Sequence, residues 1–234
     1  MRAIIKNEII FAIISFLIIS LIAILGYKVF FKSNTSFNED FIYVYVNSGS
    51  SPDEMISSIS SYIIDIESFI KAAKTKKYLE NIKAGRFIIH KGDGNNKIIN
   101  SLRSKNIPLN ITFNNIQTIQ EFSGYISKKI EADSMSLIES FTDENFLKGL
   151  NLSQESVLSL FLPNTYEFFW NTSADNFREK MVREFNNFWN ENRIDKAKKI
   201  GLNPVEVSVL ASIVQKETPK VDERPTIAGV YLNL

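Results

Sequence analysis

Among the side chains able to exchange a proton near neutral pH, Glu217 occupies the position that most needs explaining. It lies in "LASIVQKETPKVDERPTIAGVYLNL" (Leu210–Leu234), where apolar residues recur at helical spacing. "NPVE" opens this helix, with Asn203 as cap, Pro204 at the first helical position and Glu206 at the third. At about 100° per residue, Leu210, Ile213, Val214 and Glu217 share one stripe. That stripe points Glu217 to the core side. Pro219 ends the helix just beyond, so the carboxyl also meets the negative end of the helix dipole. Burial and dipole both disfavour the charged form, and a carboxyl kept protonated is what glycosidic-bond cleavage asks of its general acid. A second reading has Glu217 at a fraying helix end, reaching water beside Lys216 or Lys220. The residues alone leave both open. Asp222, Glu223 and Arg224 read as the charge run of a solvated loop.

Composition closes off several other chemistries. The chain has no cysteine and one histidine, His90. Disulfides, thiol nucleophiles, zinc–thiolate clusters and an acylated cysteine are therefore excluded. A Ser-His-Asp triad would have to use His90, which lies in the turn signal "HKGDGNN" and reads as a solvated turn residue. The net charge is +1, unevenly placed. Residues 1–32 hold four bases against one acid, and the remainder holds 23 bases against 25 acids. That balance has no footprint for nucleic acid.

The elements that must position Glu217 come after a membrane segment. "IIFAIISFLIISLIAILGY" (Ile9–Tyr27) is 19 residues without a charge, roughly 29 Å as a helix, close to one hydrocarbon core. It is longer than a signal-peptide apolar region and no A-x-A-like triplet succeeds it, so it reads as a retained anchor, with a cleaved signal as the alternative. Lysines on both sides leave orientation undecided by charge, but a short tail ahead of a large domain favours tail inside and domain outside. "SNTSFNED" (Ser33–Asp40) reads as a polar tether.

"FIYVYV" is a strand, and "SPDE" starts a helix with a capping box and the favoured first-turn proline. A helix over Ile66–Asn81, a strand and turn in "AGRFIIHKGDGNN", a helix in "KIINSLRSK" and a strand in "PLNITF" complete an α+β unit over residues 41–113. The second half is more helical. "TIQE" caps a helix to about Ala132, and "DSMSLIESF", "DENFLKGL" and "SQESVLSLF" are short helices. "LPNTYEFFWNTS" reads as an aromatic loop. "ADNFREKMVREFNNFWNENR" reads as a long helix whose Phe177, Phe185, Phe188 and Trp189 face the core.

"LASIVQKET" followed by "DERPTIAGVYLN" resembles the signature of the endolytic murein transglycosylases, the YceG-like or MltG family. "LFLPNTYEF" resembles that family's "FPDTYEF"-type loop and "IKAGRFII" its "KAGxYxI" strand, in the family's order. The resemblance implies a single-pass protein of the bacterial inner membrane facing the cell wall. It implies an α+β fold laid out as a tail (1–8), a transmembrane anchor (9–31), a linker (32–40), a LysM-like module (41–113) and a mainly helical catalytic domain (114–234).

The implied activity cuts the N-acetylmuramic acid–N-acetylglucosamine bond of nascent glycan strands, leaving 1,6-anhydro ends and terminating strand elongation. It uses one glutamate, matched here by Glu217, and neither metal nor cofactor. Asn164, Tyr166, Glu167, Thr218, Arg224 and Asn233 fall on motif positions expected to line or brace the cleft. The implied partners are peptidoglycan strands, the membrane and cell-wall synthases. Two departures stand out. "FNNIQT" replaces an "EG" turn, and Leu234 follows Asn233 where the family continues "YLNRL" into an "LQxDPT"-like segment. The resemblance thus implies a truncated member whose cleft is left open. Two other functions are compatible with the residues: a glycan-binding membrane scaffold without catalysis, and a hydrolase in which Glu167 or Glu223 supplies a second carboxylate.

Overall fold

A computed structural model describes residues 2–114 and 116–233. Met1 of the expected tail, Asn115 within "FNNIQT" and the final Leu234 lie outside the described residues. The fold is α+β, with many helices and two small antiparallel sheets, and the chain divides into two compact units.

The first unit runs through Pro108 and includes Phe169–Asn171. It contains α1 (Arg2–Phe30), β1 (Phe41–Val46), α2 (Pro52–Ser60), α3 (Ile66–Thr75), β2 (Gly85–His90) and α4 (Asn95–Arg103). Within α1, Ile9–Phe30 is long and apolar enough to cross a membrane, with a mean hydropathy of 3.0. β1 and β2 pair antiparallel from Phe41 opposite His90 to Val46 opposite Gly85. Their alternation sends Val44, Val46, Phe87 and Ile89 inward, where they meet Met55, Ile59, Phe69, Ile98, Ile99 and Leu102. The expected capping box of α2 is present, with Ser51 accepting from the Glu54 amide and Glu54 Oε2 accepting from the Ser51 amide at 2.8 Å.

α3 ends at Thr75, six residues before the expected Asn81. Lys77 adopts a left-handed backbone with φ 54°. The Tyr78 amide returns to Ala73 O (2.8 Å) and that of Lys77 to Lys74 O (2.9 Å), a Schellman stop that the composition does not advertise.

The segment Ser33–Asp40 is not a loose tether. Asn34 is buried, donating to Asp65 O and Asn95 Oδ1 and accepting from the Asp65 amide. Buried Asn95 in turn donates to Val29 O at 2.7 Å, one of the carbonyls left over at the end of α1. A Cβ on Gly94 would stand 2.8 Å from the Phe31 backbone, so only glycine permits this approach.

The second unit holds Leu109–Phe168 and the chain from Thr172 onward. Its elements are β3 (Leu109–Phe113), α5 (Ile119–Ile126), α6 (Ser134–Phe141), α7 (Glu144–Gly149), a 3-10 turn (Val157–Leu160), β4 (Asn164–Phe168), α8 (Ala174–Phe188), α9 (Glu191–Lys199), α10 (Pro204–Glu217) and α11 (Arg224–Leu232). The strand expected in "PLNITF" thus falls, from Leu109 on, in this unit rather than in the first, because β3 pairs with β4, Leu109 opposite Phe168 and Phe113 opposite Asn164. The expected aromatic loop therefore contains a strand, Asn164–Phe168. The core is a cluster of rings about Phe122, whose centroid lies 4.3 Å from Phe161 and 4.9 Å from Phe113.

Phe177, Phe185 and Trp189 are buried as expected. Phe188 is 42% exposed under the Arg193 guanidinium. The expected long helix breaks after Phe188, where Asn190 caps a new one by accepting from the Arg193 amide.

Candidate active site

Glu217 occupies the last turn of α10. The helix begins as its sequence demands: Asn203 Oδ1 accepts from the Val205 and Glu206 amides, and Glu206 Oε2 accepts from the Asn203 amide at 2.7 Å. It ends because Thr218 precedes Pro219 and takes an extended backbone, ψ 135°. Of the stripe shared with Glu217, Val214 is buried while Leu210 and Ile213 are half-buried. Glu217 itself is exposed, so the expected burial of its carboxyl does not occur. The stripe is covered around Val214, and the final turn projects past that cover.

Another helix faces Glu217. Tyr231, on α11, donates its phenol hydroxyl to Glu217 Oε1 at 3.1 Å. The carboxylate beside it pushes the Tyr231 hydroxyl above its ordinary range, through the hydrogen bond first and charge repulsion second. The turn joining the two helices is closed by side chains. Thr218, 3% exposed, donates from Oγ1 to Glu223 Oε2 at 2.8 Å and accepts from the Lys220 amide at 3.0 Å. Lys220 Nζ donates to Glu223 Oε1 at 2.8 Å. Lys220 and then Thr218 hold the Glu223 carboxyl below its ordinary value. Both Glu223 oxygens are thereby engaged, which leaves this residue badly placed to activate a water.

The other expected residues divide between two places. Arg224 opens α11 with its Nε buried and without a hydrogen-bond partner among the described residues. Asn233 comes directly after α11 and donates from Nδ2 to Gly229 O at 2.7 Å, capping that helix. Asn164, Tyr166 and Glu167 sit on β4 instead. Tyr166 is buried, stacks on Phe113 at 5.3 Å and donates to Leu162 O, so it braces the sheet. Burial, then Glu184, raises its hydroxyl above the ordinary range. Asn164 and Glu167 are both exposed, on opposite faces of the strand, and Asn164 Oδ1 accepts from the Thr165 amide. His90 is exposed at the end of β2 in the first unit, as a turn residue should be. No hydrogen bond among the described residues links β4 to Glu217.

Neither Tyr231 nor the Thr218–Glu223 clasp stands out in the sequence. The available signal is Pro225 directly after the charge run, a favoured first-turn position that marks "RPTIAGVYL" as a helix rather than a loop.

A model of the YceG-like family matches residues 44–233, which is most of the chain and includes every element of this site. The chain belongs to the YceG-like family. Among solved structures, this YceG-like chain is similar to a yceG-like protein from Listeria monocytogenes, crystallised at 2.6 Å. The identity is 17% and the TM-score 0.46, covering 80% of this chain and 67% of that one. Curated protein sequences gave no match.

Proposed function

We propose that this chain is a membrane-anchored lytic transglycosylase acting on peptidoglycan glycan strands, with Glu217 as acid and base. One observation carries the reading. Within the segment that matches the family, Glu217 ends a capped helix with its carboxyl in solvent and held by a single phenol, while the neighbouring Glu223 is locked in ion and hydrogen bonds.

A protonated Glu217 delivers its proton to the oxygen of the N-acetylmuramic acid–N-acetylglucosamine bond as the bond from the muramyl anomeric carbon to that oxygen breaks. The resulting carboxylate takes the proton of the muramyl 6-hydroxyl, whose oxygen bonds to the same anomeric carbon. The 1,6-anhydro ring closes, Glu217 regains its proton and no water is consumed. One carboxyl therefore suffices, whereas a hydrolase needs a second to activate water or to act as nucleophile. The capture of Glu223 by Thr218 and Lys220 favours the first chemistry. In this reading Asn164, Glu167, Arg224 and Asn233 contact the strand, Tyr166 and Thr218 hold the frame, the first unit is LysM-like, and α1 spans the inner membrane with both units on the wall side beside the synthases.

The test uses the full chain in detergent micelles, incubated with uncrosslinked glycan strands and monitored by mass spectrometry. Anhydro-ended fragments are expected from the parent. Glu217→Gln should slow their release by about 10²–10⁴-fold, the usual contribution of general acid–base catalysis. Reducing-end products would establish a hydrolase. Strand binding without cleavage by a folded parent would establish a glycan-binding scaffold.

A further inference from the structure

The Tyr231–Glu217 hydrogen bond joins residues 14 apart in sequence, across the α10–α11 hairpin, at the carboxyl proposed to carry the chemistry. Resting on that reading, we infer that Tyr231 is a positioning residue that fixes which oxygen of Glu217 reacts.

The two oxygens of Glu217 are not equivalent. Oε1 accepts the phenol proton, and no partner for Oε2 is found among the described residues. A carboxyl whose Oε1 already accepts a hydrogen bond carries its own proton on Oε2, so the transferable proton and its direction are defined before a substrate arrives. The exposed end of a helix offers little else to restrain a glutamate, whose side chain has three rotatable bonds and much entropy to lose. A tether to a second helix supplies that restraint, and pre-positioned catalytic groups react faster than freely rotating ones.

Tyr231 stays protonated throughout, because the same carboxylate disfavours its phenolate. It neither gives nor takes a proton in the cycle.

The remainder of the hairpin serves this contact. Thr218, Lys220 and Glu223 close the turn and so set the register at which α11 passes α10. The Tyr231 ring is 38% exposed, so little packing depends on it and its hydroxyl can be removed with little effect on the fold.

Full-length parent, Tyr231→Phe and Glu217→Gln are compared in micelles on uncrosslinked strands across the pH range. For Tyr231→Phe, kcat should fall roughly ten-fold with KM within about two-fold, as loss of one hydrogen bond to a charged group implies. A purely structural role would instead move KM together with kcat. The contact itself is read independently by ring-carbon NMR of Tyr231. Its hydroxyl should titrate above the ordinary tyrosine range in the parent and shift downward in Glu217→Gln.

Parental kcat in Tyr231→Phe, with Glu217→Gln inactive, would overturn this inference and leave the catalytic reading standing. An unchanged Tyr231 titration in Glu217→Gln would do the same. Full activity in Glu217→Gln would overturn the catalytic reading and this inference together.

Discussion

Tyr78 shows how much a single buried hydroxyl can matter in a small unit. Its side chain is fully buried, its ring lies near the Arg103 guanidinium, and its hydroxyl has no hydrogen-bond partner among the described residues. A buried polar atom left unpaired costs about 1–3 kcal/mol, so Tyr78→Phe should stabilise the first unit by about 1 kcal/mol in chemical denaturation. Burial also pushes the Tyr78 hydroxyl up to about 12, from an ordinary 10.0. The folded state thus keeps a proton that the unfolded chain releases above pH 10. Stability is complete below that pH and falls as pH rises towards the folded value, by up to about 3 kcal/mol. In an alkaline unfolding series the parent should lose stability through this window. Tyr78→Phe should flatten the loss. An identical alkaline slope in both proteins would mean that the hydroxyl is solvated.

Elements divide the legible from the illegible. Asn203–Glu206 and Ser51–Glu54 are readable because a capping box is local: four residues contain both partners. The early end of α3 is not, because Lys77 takes a left-handed backbone that lysine rarely adopts, held there by the burial of Tyr78 after it. β4 escapes sequence reasoning because its ladder partner β3 lies more than 50 residues earlier, and nothing local in "NTYEF" reveals that pairing. Periodicity finds Glu217 but not its exposure, since a stripe says which way a helix faces and not how far its cover extends. Its partner Tyr231 is hidden for the same reason.

The Thr218–Glu223 turn supplies a prediction at this level. Thr218→Val keeps the shape and removes both hydrogen bonds of Oγ1. It should weaken local closure by about 1–3 kcal/mol, read as faster amide exchange at Lys220 with the capped start of α10 unchanged. Glu223 adds a pH dependence. Its folded value is held below the ordinary 4.5, so its stabilisation is present above that value and is lost as pH falls through the folded one. Protection at Lys220 should therefore decline only in acid, and should decline less in Glu223→Gln.

At the scale of the whole chain, much depends on how the apolar helix α1 is joined to the rest of the first unit. A polar stretch of eight residues would ordinarily let a membrane helix and a folded module tumble independently. Here the stretch is fastened at its start. Asn95 donates to Val29 O and Ser68 Oγ and accepts from Asn34, while Asn34 also holds both the amide and the carbonyl of Asp65. Bridges at Ser33–Gly94 and Thr35–Ile63 extend the attachment. Because Asn95 is 1% exposed and Asn34 4% exposed, water cannot replace what a substitution removes.

Asn95→Ala therefore removes the donor to Val29 O and one of the two acceptors of the Asn34 side-chain amide together, at about 2–4 kcal/mol. Asn95→Asp supplies an acceptor for Asn34 but no donor for Val29 O. Limited proteolysis of the full chain in micelles is expected to spare Ser33–Asp40 in the parent and to cut it readily in Asn95→Ala, with Asn95→Asp between them. Equal cleavage in all three would show that the segment is a free tether after all. Resistance in the parent alone would mean that the buried asparagine pair holds the first unit to the end of α1.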